Sequence, residues 1–268
     1  MENLSPYFNV IKESTLNSIN ELIELNKMKK YSEKGFEDIS LTSHPLTAYF
    51  PRNHETCGIF RGQAKDWPLI PASYRNEDVK VETPINYILP YRYGRCNNEM
   101  ITFCKLAALQ NHNFPSNPID QISIAQHYGL KTPLLDWTTN IFVAAFFALD
   151  LRNNKDEAEF SEPYIYHLED ERLLQTGIEN EKNIIQVNYS ALVKPAMYDR
   201  RIERQFSVFS FHPHPLQKPE IIPVTKYKIS GELFMELWKI MSGLGYSASH
   251  FFPDYAGIAE IVKSDYMI

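Results

Sequence analysis

The sequence predicts an α+β fold in which helices surround a mixed, largely antiparallel sheet. Short apolar runs of strand length fall at 56–60, 134–137, 164–168, 205–211 and 221–229, and they do not alternate with helices as regular βαβ units. Seventeen prolines against ten glycines point to stiff, defined connections between elements. The 44% hydrophobic and 13% aromatic content supplies enough apolar surface for a sizeable packed core.

Taken in order, the first thirty residues read as a helix. Leu16, Ile19, Leu22, Ile23 and Leu25 recur near helical spacing ahead of the lysine-rich run 27–30. Residues 31–55 read as loop. Residues 1–50 are therefore expected to form a helical and loop-like appendage, and 51–268 the main domain. A strand should run from Thr56 to Phe60 and end on Arg61, followed by a proline-stiffened extended stretch over 67–75. Helices are expected over 93–112 and 119–127, the second stopping at Gly129.

A short buried strand at 134–137 then leads into a helix over 140–151, which is apolar nearly all round and hence deeply buried. Strands over 164–168, 205–211 and 221–229 follow. A helix over 232–242 and a short last one over 257–263 complete the expected elements.

The net charge of −6 argues against a broad basic face for sequence-independent nucleic-acid binding. Cys57, Cys96 and Cys104 are an odd number without metal-ligand spacing, so no metal site is expected. The longest apolar run, 141–149, is too short to span a bilayer, and no signal or lipidation motif opens the chain. A cytoplasmic protein without a membrane partner is the expectation.

Three stretches carry more polar specificity than a core requires. In Phe60-Arg61-Gly62-Gln63, an arginine that stays charged sits at the end of a strand and demands an anionic partner, either a carboxylate of the chain or a phosphate. Its planar fork matches two phosphate oxygens, and Gly62 would let the backbone approach a ligand closely. The segment 126–140 gathers His127, Tyr128, Asp136, Trp137, Thr138 and Thr139 around an apolar strand just before a helix. Asp136 or Thr139 could cap that helix, and a helix N-terminus also attracts anions. In the third stretch, 201–209, a strand would put Glu203, Gln205 and Ser207 on one face, where adjacent polar groups could grip a ribose.

In this order the stretches resemble the FRG-domain family, named for the tripeptide standing here as Phe60-Arg61-Gly62. The resemblance also covers His127-Tyr128-Gly129-Leu130, the run Leu134 to Thr138, the small-residue helix Val143 to Ala148 and Phe252-Pro253-Asp254-Tyr255-Ala256-Gly257. Lys131 and Pro133 stand where the family usually has proline and arginine, and Phe206-Ser207 replaces a Gln-Gly pair. More distantly, the order resembles ADP-ribosyltransferases of the Arg–Ser–Glu kind and implies their fold.

That second resemblance implies NAD as a substrate and no metal. Arg61 and Gly62 would hold the pyrophosphate or nicotinamide ribose, with His127 and Tyr128 beside the heterocycle. Thr138 and Thr139 would shape the nicotinamide pocket. Gln205 falls where those enzymes carry a catalytic glutamate, and Glu203 or Asp136 could supply the missing charge. The implied function is transfer of ADP-ribose to nucleic acid (RNA or DNA) or protein. It would act as a bacterial toxin or phage-defence effector held by a neutralising antitoxin protein. Two alternatives are a non-catalytic nucleotide- or phosphate-binding module and a nuclease-type toxin built on His127, Asp136 and Gln205.

Overall fold

The computed structural model describes residues 5–27, 58–75, 85–149, 162–168, 187–193, 200–213, 220–244, 246, 248–253, 258 and 262. Its framework is a seven-stranded sheet ordered β1-β7-β4-β2-β3-β6-β5. The strands are β1 (Phe8–Leu16), β2 (Phe60–Gln63), β3 (Leu134–Thr138), β4 (Tyr164–Leu168), β5 (Ala191–Val193), β6 (Ser207–Phe211) and β7 (Ile222–Ile229). β1 and β7 run parallel, and every other neighbouring pair is antiparallel. The helices are α1 (Ile19–Lys27), α2 (Ile85–Gln110), α3 (Pro118–His127), α4 (Ile141–Ala148), α5 (Arg200–Arg204), α6 (Gly231–Gly243) and α7 (Ala248–Phe251). The mixed, largely antiparallel α+β architecture is as the sequence predicts.

Alternation along the strands separates two packed layers. Phe60, Ile165 and Ile229 turn toward a cluster formed with Ala144, Ala145, Phe146 and Ala148 of α4, Leu22 of α1, Leu233 and Leu237 of α6, and Phe251. Ile59, Leu135, Trp137, Tyr166, Leu168, Val208 and Val224 turn to the opposite face and pack with Tyr7, Phe8, Leu69 and Tyr74. A third cluster joins Ile119 and Ile122 of α3 to Leu134, Phe209 and Phe211.

Gly62 is the point where the first layer comes closest. A β-carbon there would lie 1.7 Å from the Ala144 carbonyl oxygen. The glycine of the tripeptide therefore admits the backbone of α4, which is itself capped by Asn140 Oδ1 accepting from Phe142 N at 2.9 Å. Neither Asp136 nor Thr139 is that cap.

Two expectations need correction. The N-terminal segment is not one helix: residues 8–16 form β1 at the edge of the sheet and only 19–27 are helical. Residues 203–205 are not on a strand, because α5 runs through Arg204 and β6 begins at Ser207. His212 follows β6 directly and is fully buried. Of the expected helix over 257–263 only residues 258 and 262 are described, both helical; the segment Asp254 to Gly257, Cys57, and the proposed domain boundary at residue 50 lie outside the described residues. Among the described residues, no helix is long and apolar enough to cross a membrane.

Candidate functional site

β2 and β3 share a single registered pair, Phe60 with Thr138, whereas β2 continues along β4 for four pairs. Beyond Phe60 the backbone of β3 needs another partner on that side. Arg61 supplies it, donating from NH1 to the Asp136 carbonyl at 2.7 Å. The same nitrogen lies 3.8 Å from Asp136 Oδ2; the Arg61 side chain is 16% exposed and that of Asp136 60%. The arginine thus reaches from a mostly buried stem to a carboxylate open to water.

The other end of the guanidinium is held from its own strand. Arg61 Nε donates to Gln63 Oε1 at 3.3 Å, and Gln63 Nε2 donates to the Trp67 carbonyl at 2.8 Å. Gln63 is buried, so this contact ties the arginine to the turn that follows β2. Burial pulls the Arg61 pKa below the usual guanidinium value. The Asp136 charge pushes the other way, and neighbouring Arg75 adds to the lowering. Two guanidiniums close enough to oppose one another leave positive charge that the one exposed carboxylate offsets only in part, and a bound anion would be stabilised there.

The row of cross-strand partners continues the polar character. Arg61 pairs with Tyr166, Tyr166 with Lys226, and Lys226 with Glu13. Tyr166 OH donates to Asp66 Oδ1 at 2.7 Å, while Lys226 Nζ reaches Asp66 Oδ2 at 2.7 Å and Glu13 Oε1 at 3.2 Å. Burial opposes the charge of Lys226, but its bonds to Asp66 and Glu13 outweigh that and its pKa is raised. Asp66 therefore fixes the turn carrying Trp67 to the middle of the sheet. Sequence reading passed over Asp66, Tyr166 and Lys226 because only the strand register brings them beside Arg61.

Asp136 has a second neighbour. Gln126, in the last turn of α3, donates from Nε2 to Asp136 Oδ1 at 2.7 Å. Thr132 Oγ1 hydrogen-bonds Gln126 Oε1 and accepts from Leu134 N at 3.3 Å. The chain turns between these residues at Gly129, whose φ of 86° is the left-handed conformation glycine adopts freely. Its two flanking bonds, Gly129 N to Gln126 O and Leu130 N to Ala125 O, close the helix end.

The remaining predicted site residues fall elsewhere. His127 and Tyr128 pack edge to face with ring centroids 5.1 Å apart, and Tyr128, 69% exposed, also meets Phe103. Thr138 is buried and donates to the Gln205 carbonyl at 2.7 Å, while Thr139 N donates to the Phe206 carbonyl. Gln205 Nε2 donates to the Phe251 carbonyl at 3.0 Å, so its amide secures α7. Glu203 is exposed on α5. The structure thus brings Arg61 and Asp136 together. Separately, it brings Thr138 and Thr139 to the turn after α5.

That turn is strained. Phe206 sits at φ 49° two residues past the end of α5, with Phe206 N donating to the Glu203 carbonyl at 3.1 Å. A residue in this helix-ending position is usually glycine. Among the described residues, no group of three or more His, Cys, Asp or Glu could hold a metal ion. His212, held between Ser190 and Ser210, has no exposed surface for acid–base chemistry.

Compared with known proteins, the chain matches the family model described as FRG domain over residues 57–157. That span holds Arg61, Gly62, Gln126, Asp136 and all of α4. No curated protein and no solved structure matches the chain.

Proposed function

From the premise that residues 57–157 of this chain are an FRG domain, we propose that the protein cleaves NAD and transfers ADP-ribose to a macromolecular acceptor. The observation that carries this reading is the meeting of Arg61 and the exposed Asp136 carboxylate where β2 and β3 part. Arg61 grips the pyrophosphate, and Arg75 adds positive charge beside it. Asp136 takes the charge-supplying role for which sequence order had offered it and Glu203, with Gln205 standing in the place of the glutamate. Of these three, it alone sets a carboxylate beside Arg61.

In the reaction the bond between the ribose C1′ and the nicotinamide nitrogen breaks, and its electron pair leaves with neutral nicotinamide. An acceptor oxygen or nitrogen then bonds to C1′ and loses its proton. The cation developing at C1′ is stabilised by a fixed negative charge, which Asp136 provides. The acceptor is nucleic acid or protein. A cytoplasmic toxin or defence role and a neutralising protein partner belong to the same proposal.

A binding module without turnover is the second reading. It is favoured by the engagement of Gln205 with Phe251, which leaves the third polar stretch holding a helix rather than offering its amide to a ligand. The deciding experiment follows nicotinamide release from NAD with RNA, DNA and cell extract as acceptors. We expect release by the wild type and a loss of about 100-fold or more in Arg61→Ala and Asp136→Asn. Folded wild-type protein that releases nothing with any acceptor, yet binds ADP-ribose in a calorimeter, would establish the module instead.

A further inference from the structure

We infer that Gln126 is a positioning residue for Asp136, its amide locking the carboxylate so that one oxygen is held and the other stays free beside Arg61. The catalytic part of this inference rests on the function proposed above; the geometric part does not.

The orientation of the amide follows from donor and acceptor arithmetic. Leu134 N–H can only donate, so Thr132 Oγ1 accepts from it at 3.3 Å. The Asp136 carboxylate can only accept, so the Gln126 atom facing it is the amide nitrogen, and the amide oxygen then faces Thr132 and accepts its hydroxyl proton. Nε2 reaches Asp136 Oδ1 at 2.7 Å. Thr132 is fully buried, so water does not compete for its hydroxyl.

At the far end, Asp136 Oδ2 stands 3.8 Å from Arg61 NH1, beyond hydrogen-bonding distance, in a side chain that is 60% exposed. A carboxylate this open would ordinarily rotate freely about its last bond. Gln126 removes that freedom, and it does so from α3 rather than from β3. The arrangement mirrors the other half of the pair, where Gln63 holds Nε of Arg61 and leaves NH1 to face Asp136. Two glutamines, each anchored away from the opening, fix the two charged groups that meet in it.

A positioning group changes the rate at which bound substrate reacts more than it changes binding. Gln126→Ala should lower kcat for nicotinamide release by about 10-fold or more, while KM for NAD stays within about twofold because Arg61 is untouched. Thr132→Val, which frees the amide to turn over, should move kcat in the same direction, and Thr132→Ser, which keeps the hydroxyl, should restore it. A KM rise equal to the kcat loss, or no change in either, would overturn the catalytic part.

The second measurement needs no turnover. Proton exchange at the Gln126 side-chain amide, followed by NMR, should be slow in the wild type and in Thr132→Ser. It should be fast in Thr132→Val and in Asp136→Ala, whose substitution is at an exposed site. Unchanged exchange in Asp136→Ala would overturn the positioning role whatever the enzyme does. Slow exchange lost in both variants, in a protein that releases no nicotinamide, would uphold the positioning role while the NAD reading fails.

Discussion

Asp136 and Trp137 are neighbours on β3, and alternation sends their side chains into two different polar networks. Trp137 Nε1 donates to Ser210 Oγ at 2.8 Å, Ser210 Oγ meets His212 Nε2 at 2.7 Å, and His212 Nδ1 meets Ser190 Oγ at 3.0 Å. The indole only donates, so Ser210 Oγ accepts from it, and the two ring nitrogens of His212 join Ser210 to Ser190. The ring lies tilted 4.6 Å from Tyr7 and edge-on 5.0 Å from Phe8, and the side chains of the network are buried. Every polar atom there answers another within the protein.

The Asp136 network is built from similar bonds but ends differently. Gln63, Gln126 and Thr132 are its anchors, and it terminates in an arginine and a carboxylate held just beyond bonding distance. Polarity in the core is thus no guide to function by itself. What separates the two networks is whether the last members are mutually satisfied. A closed network specifies one packing, whereas one that stops at an exposed charge leaves its final bond for something else.

Substitutions can break this contrast. The largest effect is expected at His212: replacing it with alanine removes a buried ring and strands two serines, costing about 3–5 kcal/mol of stability. Urea unfolding would measure that loss, and ADP-ribose affinity of the folded fraction should not move. Arg61→Ala should do the reverse. Nicotinamide release should fall by about 100-fold, equivalent to about 2.7 kcal/mol, with stability changed by less than about 1.5 kcal/mol. If either variant produced the other's signature, the two networks would not be separable.

Acid sharpens the same comparison. Burial drives the His212 pKa down to about 3, so the folded protein holds this ring neutral while the unfolded chain protonates it near its ordinary 6.5. Its contribution is complete above about pH 6.5 and is lost as pH falls toward 3, at up to about 1.4 kcal/mol per pH unit. Urea midpoints measured across that range should fall with pH, and His212→Gln should flatten the slope. The smallest effect concerns backbone strain on the other side of β3. Phe206→Gly relieves a left-handed residue and should raise stability by about 0.5–1 kcal/mol, read as a higher melting temperature. A fall instead would show that the half-exposed Phe206 ring holds the turn.

The parts of the fold that sequence made legible are those with buried, periodic side chains. β4 and β7 were read within one residue, as was the helix stop at Gly129, because core strands and a left-handed glycine leave local signals. β1 left none: most of its residues are exposed, and backbone pairing with β7 holds it, so its residues show no alternation. The strand expected over 203–205 was an extension of the apolar alternation of β6 back through Phe206, whose positive φ breaks it.

In the site, Arg61 and Asp136 stood out as charges beside apolar runs. Gln126 did not, although it lies in the same motif. A neutral amide gives no hint of what it faces until the Gly129 turn brings Thr132 back to it. Gln205 misled for the opposite reason, since a polar residue in an expected catalytic position can spend its amide on a helix end.

The pairing of β1 with β7 also sets an order in time. β1 leaves the ribosome well before the strand it lies against, which is not made until residues 222–229 have been added. β4, which flanks the Arg61 strand, waits for the same partner. At about 5–20 residues per second, that delay is on the order of 10–40 s. A nascent chain interrupted before residue 222 therefore has neither its outer strand nor the central support for Lys226 and Asp66. Whatever chemistry the opening between β2 and β3 performs, the cell meets it only after residues 222–229 have been made.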